Sequence, residues 1–353
     1  MSRFFSSKYS NLEAYVPGEQ PKDMKYIKLN TNESPFPPSV EAQEAARYEA
    51  GILQLYSDPE CTELVKKAAD VFGIDKNQIL MTNGSDEILN FAFMAFCDKD
   101  HPIAFADITY GFYSVFAEVN NIPYKIIPLK DDFTIDYKDY LNIGMNIVIA
   151  NPNAPTGIAL PLWQIEEIVR TNPDHVVVID EAYVDFGAES AKVLLDKYDN
   201  LLVIQTFSKS RSLAGGRLGF GMGNSALIQD LNTIKYSTNP YNINRMTMAV
   251  GCAVLDSNDY YMNNCRIIME NREYTVSALE GLGFSVLPSS TNFVFAKHSS
   301  VSGEAIYSEL RKRGILVRHF TKEKIKDYNR ITVGTREQMD AFISAVSEII
   351  KEK

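Results

Sequence analysis

The sequence predicts an α/β fold: a mostly parallel sheet with flanking helices, followed by a smaller C-terminal α+β domain. Short apolar runs such as Val176-Val177-Val178-Ile179 and Leu201-Leu202-Val203-Ile204 alternate with segments of helical period. Strands alternating with helices imply parallel pairing through right-handed crossovers. After about Cys252 that alternation gives way to one long helical region, several short strands and a last helix with a one-sided apolar stripe.

Residues 1–25 are polar, contain Pro17-Gly18 and Pro21, and read as an arm. Tyr26 to Leu29 reads as a short strand, ended by the loop chemistry of Asn30-Thr31-Asn32-Glu33-Ser34-Pro35. Residues 40–50 and Thr62 to Val71 read as helices, the second stopped by Gly73. Ile79 to Thr82 is a strand, and Asn83-Gly84-Ser85-Asp86-Glu87 then opens an apolar helix to Phe96. Strand, helix and strand follow at 102–105, 110–119 and 124–129. Asn146 to Ala150 is a strand closed by Asn151-Pro152-Asn153-Ala154-Pro155-Thr156-Gly157, and a helix carries Leu162, Ile165, Ile168 and Val169. The next two strands are Val176 to Ile179, ending in Asp180, and Leu201 to Ile204, with one helix expected between them. The C-terminal part has a helix to Leu282, strands at 284–286, 291–296, 315–318 and 330–333, a helix at 305–313 and the final helix through Met339, Phe342, Val346 and Ile350.

Open α/β sheets place ligands beyond the carboxyl ends of their strands, so the residues there are the candidates for chemistry. Thr206-Phe207-Ser208-Lys209-Ser210-Arg211-Ser212-Leu213-Ala214-Gly215-Gly216-Arg217 sits at such an end. A lysine held there in an apolar setting can react as a neutral amine with an aldehyde, and Arg217 offers a planar fork to a phosphate. An ordinary basic turn explains that stretch equally well on its own. Gly84-Ser85-Asp86 opens a helix whose free N–H groups can cradle an anion, or is a plain helix cap. Asp180 is expected to be partly buried and in need of a cationic partner such as a pyridinium nitrogen, the alternative being a cap or a salt bridge. Tyr183 can bond a phenolate oxygen and Tyr110 can lie on a flat ring, or both can simply pack. The Asn151–Gly157 loop can hold an amide rigidly toward that ring, or serve as a turn.

The order of these pieces, with LNTNESP, NGSDE, TYGFY, NPNAPTG, DEAYVDF, TFSKSRSLAGGRLG, TNF and RITVGTRE, resembles the class I/II aminotransferases of pyridoxal-phosphate fold type I over nearly the whole chain. The resemblance implies pyridoxal 5'-phosphate as cofactor, joined to Lys209 as a Schiff base, and ping-pong transfer between an amino donor and a 2-oxo acid. It implies that Ser85, Asp86, Ser208 and Arg217 hold the phosphate region, Tyr110 stacks on the ring, Asp180 pairs with its nitrogen and Tyr183 bonds its phenolate oxygen. Where the family often has asparagine before the second proline, this chain has Ala154, which leaves Asn153 or Asn151 to reach the ring oxygen. Tyr15, Asn32, Arg318 and Arg330 would bind substrate, and Tyr56 would reach the cofactor of a second subunit in a homodimer with shared active sites. The domains implied are an arm (1–25), a segment joining the small domain (26–50), a large cofactor-binding domain (51–255) and a small domain (256–353). The reaction implied is transfer from histidinol phosphate to 2-oxoglutarate, a step of histidine biosynthesis. Transfer from aromatic or other amino acids, and decarboxylation on the same scaffold, stay open. Ser210-Arg211-Ser212 departs from the family, where apolar and aromatic residues are frequent after the lysine.

Composition narrows the partners. With 35 Lys and Arg against 45 Asp and Glu, the net charge of −10 argues against nucleic acid and anionic membrane as partners. The first residues lack the apolar core of a signal peptide, and no apolar run approaches spanning length, so a cytoplasmic enzyme is expected. A ligand-sensing regulator would need a DNA-binding segment that the short N-terminal stretch leaves no room for. Four cysteines without paired spacing read as reduced thiols, and four histidines without ligand spacing argue against a metal.

Overall fold

In a computed structural model, residues 2–9, 12–15 and 17–352 are described. Of the expected arm, Met1, Ser10, Asn11 and Val16 lie outside the described residues. Strand β1 (Ile27–Lys28) leads through the Asn30–Pro38 loop into α1 (Val40–Ala50) and α2 (Thr62–Phe72). The large sheet then begins with β2 (Ile79–Thr82), α3 (Ser85–Phe96), β3 (Ile103–Ala106), α4 (Phe112–Asn120), β4 (Tyr124–Ile127), β5 (Asn146–Ala150), α5 (Leu162–Thr171), β6 (Val177–Asp180), β7 (Leu201–Thr206) and β8 (Gly219–Gly223). Its order is β2-β8-β7-β6-β5-β3-β4. Only β8 runs antiparallel to its neighbours, so β2, β3, β5, β6 and β7 all end on the same edge. The central strands β5, β6 and β7 are buried along their whole length, as expected for a sheet covered on both faces.

Strand β8 was not legible as a strand, because three of its five residues, Gly-Phe-Gly-Met-Gly, are glycines, which strands disfavour. The glycines are required by close packing. A Cβ on Gly219 would stand 2.5 Å from the backbone of Gly84 and Ser85, and one on Gly221 would stand 2.3 Å from Ile88 Cδ1. The start of α3 therefore rests directly on β8. The β6–β7 connection also differs from expectation. It carries two short 3-10 turns, Val184–Phe186 and Ala191–Leu194, in place of a helix.

Two helices, α6 (Ser225–Thr238) and α7 (Arg245–Asp256), connect to α8 (Asn258–Gly281), and the expected single long helix is broken at Ser257. The remaining elements are β9 (Phe284–Val286), β10 (Phe293–His298), α9 (Gly303–Lys312), β11 (Ile315–Leu316), β12 (Arg318–His319), β13 (Asn329–Thr332) and α10 (Arg336–Lys351). They form an antiparallel sheet in the order β12-β13-β10-β9 with its own core, including Val294, Ile306, Leu310, Phe342 and Val346. The run Ile315–Arg318 changes partner at Val317: β11 pairs with β1, and β12 pairs with β13. That switch sets Arg318 directly opposite Arg330. Segment 26–50 is divided in its packing. β1 joins β11, whereas Ala42 of α1 belongs to the core beneath the large sheet.

Candidate active site

A cavity of about 490 Å³ opens at the strand-tip edge of the large sheet, between it and the small sheet. Tyr15, Asn32, Ser85, Asp86, Tyr110, Asp180, Tyr183, Ser208, Lys209, Arg217, Arg318 and Arg330, all singled out from the sequence, line it.

Asp180 ends β6 with 5% exposure. Tyr113 Oη donates to its Oδ2 at 2.8 Å and the Ala182 N–H to its Oδ1 at 3.3 Å. No cation pairs with it among the described residues, and burial pushes its carboxyl up to about 6. Tyr113 was missed as a site residue, although it closes the TYGFY motif. Its phenol is fully buried, which pushes its own proton affinity well up and keeps it a donor to Asp180.

Lys209 follows β7 by three residues. Its Nζ donates to the Thr31 carbonyl at 3.4 Å and lies 5.7 Å from the centre of the Tyr183 ring. The Tyr183 hydroxyl accepts from Asn32 Nδ2 at 2.9 Å. Asn32 is itself fixed: its N–H donates to Thr332 Oγ1, which donates in turn to Asn32 Oδ1, both at 3.0 Å. It holds a left-handed φ of 57°, so the loop before α1 is tied at once to β13 and to Tyr183.

At the other end of the cavity, α3 begins at Gly84 (φ 80°) with no side chain capping it. Ser85 and Asp86 of its first turn line the cavity together with Ser208 and Arg217, at the helix end where N–H groups are free. Arg217 Nη1 lies 3.5 Å from Ser208 Oγ, and Nη2 lies 3.3 Å from Asp86 Oδ2. Tyr110 Oη donates to Asp86 Oδ1 at 2.7 Å. Tyr110 stands just before α4, not within it, and its phenol is pushed up by burial.

Two expected residues are placed elsewhere. Asn153 does not line the cavity. Its Nδ2 donates to the Ile108 carbonyl at 2.9 Å and to Thr156 Oγ1 at 3.1 Å, and its Oδ1 accepts from Thr109 Oγ1 at 2.8 Å. With its amide saturated, Asn153 pins the loop before Tyr110. Asn151 is likewise used up, bonding both backbone groups of Leu160. The cavity wall there is Pro152, Ala154 and Pro155, and neither asparagine lines it. Tyr56 is 81% exposed, outside its own chain's cavity, with its ring on Tyr241 at 4.7 Å.

The model of the family described as aminotransferase class I and II matches residues 24–346. The chain belongs to that family. Among relatives of this aminotransferase, the histidinol-phosphate aminotransferase of Brachyspira hyodysenteriae is 51% identical over 99% of this chain and 100% of its own length. That of a Marinomonas species is 50% identical over the same shares. The structure of histidinol-phosphate aminotransferase from Sinorhizobium meliloti, solved in complex with pyridoxal-5'-phosphate, superposes with a TM-score of 0.85 at 24% identity. It covers 93% of this chain and 92% of that one.

Proposed function

We propose that this aminotransferase binds pyridoxal 5'-phosphate through Lys209 and moves the amino group of histidinol phosphate to 2-oxoglutarate. The donor set suits that cofactor. An uncapped helix start, two serines and Arg217 suit its phosphate, and a buried carboxylate lacking a cation suits its ring nitrogen. Tyr183, Asn32 and Tyr110 would fix the ring from its edge and its face. When bound, the cofactor supplies the electron sink that lets a proton leave the carbon carrying the amino group.

The chain's own groups do the rest. Asp180, held by Tyr113, would offer its carboxylate to the ring nitrogen. Lys209 would hold the cofactor until the donor's amine takes its place, and its freed amine would then serve as base and acid for the proton of the substrate carbon. The second substrate would use the same cavity and the same groups in the opposite direction.

One observation carries the class of substrate: Arg318 and Arg330 face each other as register partners on β12 and β13. Like charges opposite one another across a sheet are unfavourable by themselves. Arg330 is also half-buried, its buried Nε lacks a partner among the described residues, and desolvation pulls its guanidinium downward. An anion in the cavity relieves all of these, and one planar fork suits a phosphate in the first half-reaction and a carboxylate in the second.

We further infer a cytoplasmic homodimer with a large domain at 51–255. The exposed Tyr48, Leu53, Leu55 and Tyr56 offer an apolar face beside Tyr241, suited to a second copy whose cofactor Tyr56 would reach. Among the described residues no helix is long and apolar enough to cross a membrane.

The test compares kcat/KM for histidinol phosphate, histidinol, phenylalanine and tyrosine with 2-oxoglutarate as acceptor. A preference of about a hundredfold for histidinol phosphate over histidinol, roughly 2.7 kcal/mol, is expected. Faster turnover of phenylalanine or tyrosine rejects the donor, and carbon dioxide release without need of 2-oxoglutarate rejects transamination.

A further inference from the structure

The backbone ladder between β6 and β7 ends where the Glu181 N–H donates to the Ile204 carbonyl at 2.7 Å. Beyond that point the β6 segment turns into a loop, and β7 runs on to Thr206 against β8 before its own loop begins. One carries Tyr183 and the other carries Ser208 and Lys209, so their relative placement depends on side chains. Two carboxylates of the run Asp180–Phe186 supply ties. Glu181, 1% exposed, accepts from Gln205 Nε2 at 2.9 Å, from Ser190 Oγ and from the Ala191 N–H. Asp185 Oδ2 accepts from Ser210 Oγ at 2.5 Å and from Arg211 Nη1 at 2.7 Å.

The second tie lies directly beside Lys209. The Arg211 side chain is only 3% exposed, and its guanidinium lies over Phe72 and Phe207 at 5.3 and 5.5 Å. Nη1 also reaches Ser210 Oγ at 3.1 Å, and Nη2 reaches Asn258 Oδ1 on the first turn of α8 at 3.3 Å. Nε has no partner. A charge in such an apolar slot contributes little net stability, since well-packed apolar residues of similar volume commonly do as well. What the planar fork adds is geometry: it joins the Lys209 loop, the Tyr183 loop and α8 at one point. This also gives a physical reason for the polar Ser210-Arg211 pair in a place where the family frequently has apolar residues.

We propose that Arg211, acting with Ser210 through Asp185, is a positioning residue that sets Lys209 relative to Tyr183. The inference rests on the reading that Lys209 carries the cofactor. Borohydride reduction of the wild-type holoenzyme, followed by peptide mapping, checks that reading separately: absence of a label on Lys209 rejects it whatever the variants do.

The inference itself is tested with the double variant Arg211→Met/Asp185→Leu, which removes both charges and keeps volume. Three properties of the holoenzyme are compared with wild type: the melting temperature, the pH midpoint of the bound cofactor's absorbance without substrate, and kcat and KM of the donor half-reaction. A Tm within a few degrees is expected. The absorbance midpoint should move by about half a pH unit or more. The kcat should fall about tenfold, about 1.4 kcal/mol, with KM within about twofold. A folded double variant with wild-type midpoint and kcat overturns the proposal and leaves the pair a packing element. Should the double variant not fold, Arg211→Lys decides. It keeps the charge but loses the fork, so a shifted midpoint and lowered kcat support the proposal, and wild-type values overturn it.

Discussion

On the large-sheet wall of the cavity, the functional groups stand at the ends of buried strands and are tied to one another. Tyr113 holds Asp180, Tyr110 holds Asp86, and Arg217 bridges Asp86 and Ser208. On the small-sheet wall, Arg318 and Arg330 hold backbone carbonyls of the N-terminal segment instead, those of Pro17 and Asn30. The Asp180, Asp86, Ser208 and Arg217 part of the first wall is held within one sheet and its helices, while Lys209 and Tyr183 also bond Thr31 and Asn32. The second depends on where residues 17–32 lie, and that segment is also tied to β13 through Asn32. The difference suits two tasks. A resident cofactor needs fixed charges, which act without reorganisation. Two successive substrates need a wall that accepts either anion.

Breaking the first wall should have the largest effect. Lys209→Ala removes the amine that lies over Tyr183, and on its proposed role in proton transfer turnover should fall by at least about a thousandfold. Residual turnover above about a tenth of wild type would show that another group moves the proton. Asp180→Asn should leave the cofactor bound but slow the donor half-reaction by about a hundredfold or more, because an amide cannot balance a cationic ring. Stopped-flow measurement with excess donor reads this, and a rate within about twofold of wild type assigns Asp180 another task.

These residues were legible because strand tips are where such sheets place ligands, and short apolar runs mark the tips. The sheet elements that were not legible have a common cause. β8 is glycine-rich because α3 needs the space, and nothing local announces a neighbour's approach. The helix expected between β6 and β7 is replaced by short turns that serve Glu181 and Asp185. Asn153 was placed toward the ring by analogy of position, and only the fold shows its amide spent on Ile108, Thr109 and Thr156. Tyr113 and Thr332 were hidden among residues that pack equally well, since a hydroxyl's partner is a tertiary fact.

The same wall makes a prediction about pH. Burial raises Asp180 from 3.8 to about 6 in the protein without its cofactor. A carboxyl with a raised folded value contributes stability that is full below pH 3.8 and lost as pH rises to about 6, amounting to roughly 3 kcal/mol. A cationic ring nitrogen beside Asp180 would remove that loss. The gap in Tm between the cofactor-bound and cofactor-free protein should therefore widen from pH 4 to pH 6 and then level off. In Asp180→Asn the gap should stay flat across the same range. A wild-type gap that does not change with pH would argue against a charge pair at Asp180.

The second wall should respond less, and its response sharpens the comparison. Arg330 occupies β13, half-buried, with Nη2 on the Asn30 carbonyl at 3.2 Å. Arg318 lies opposite, also half-buried, on the edge strand β12. Arg330→Lys keeps the charge but loses the planar fork, so phosphate and carboxylate would each lose one of two parallel bonds. Both half-reactions should slow by about tenfold to thirtyfold in kcat/KM, equal to about 1.4–2 kcal/mol each. Arg318→Lys should cost less, because β12 is the edge strand and the Arg318 Nη1 contact with Pro17 lies at the surface, where an ammonium can follow the anion and water screens what it loses. The decisive comparison is between the half-reactions of one variant. If Arg330→Lys impairs only the histidinol phosphate step and leaves the 2-oxoglutarate step unchanged, the arginine serves the phosphate alone. The second substrate's carboxylate then needs a different contact, and the idea of one wall shared by two anions fails.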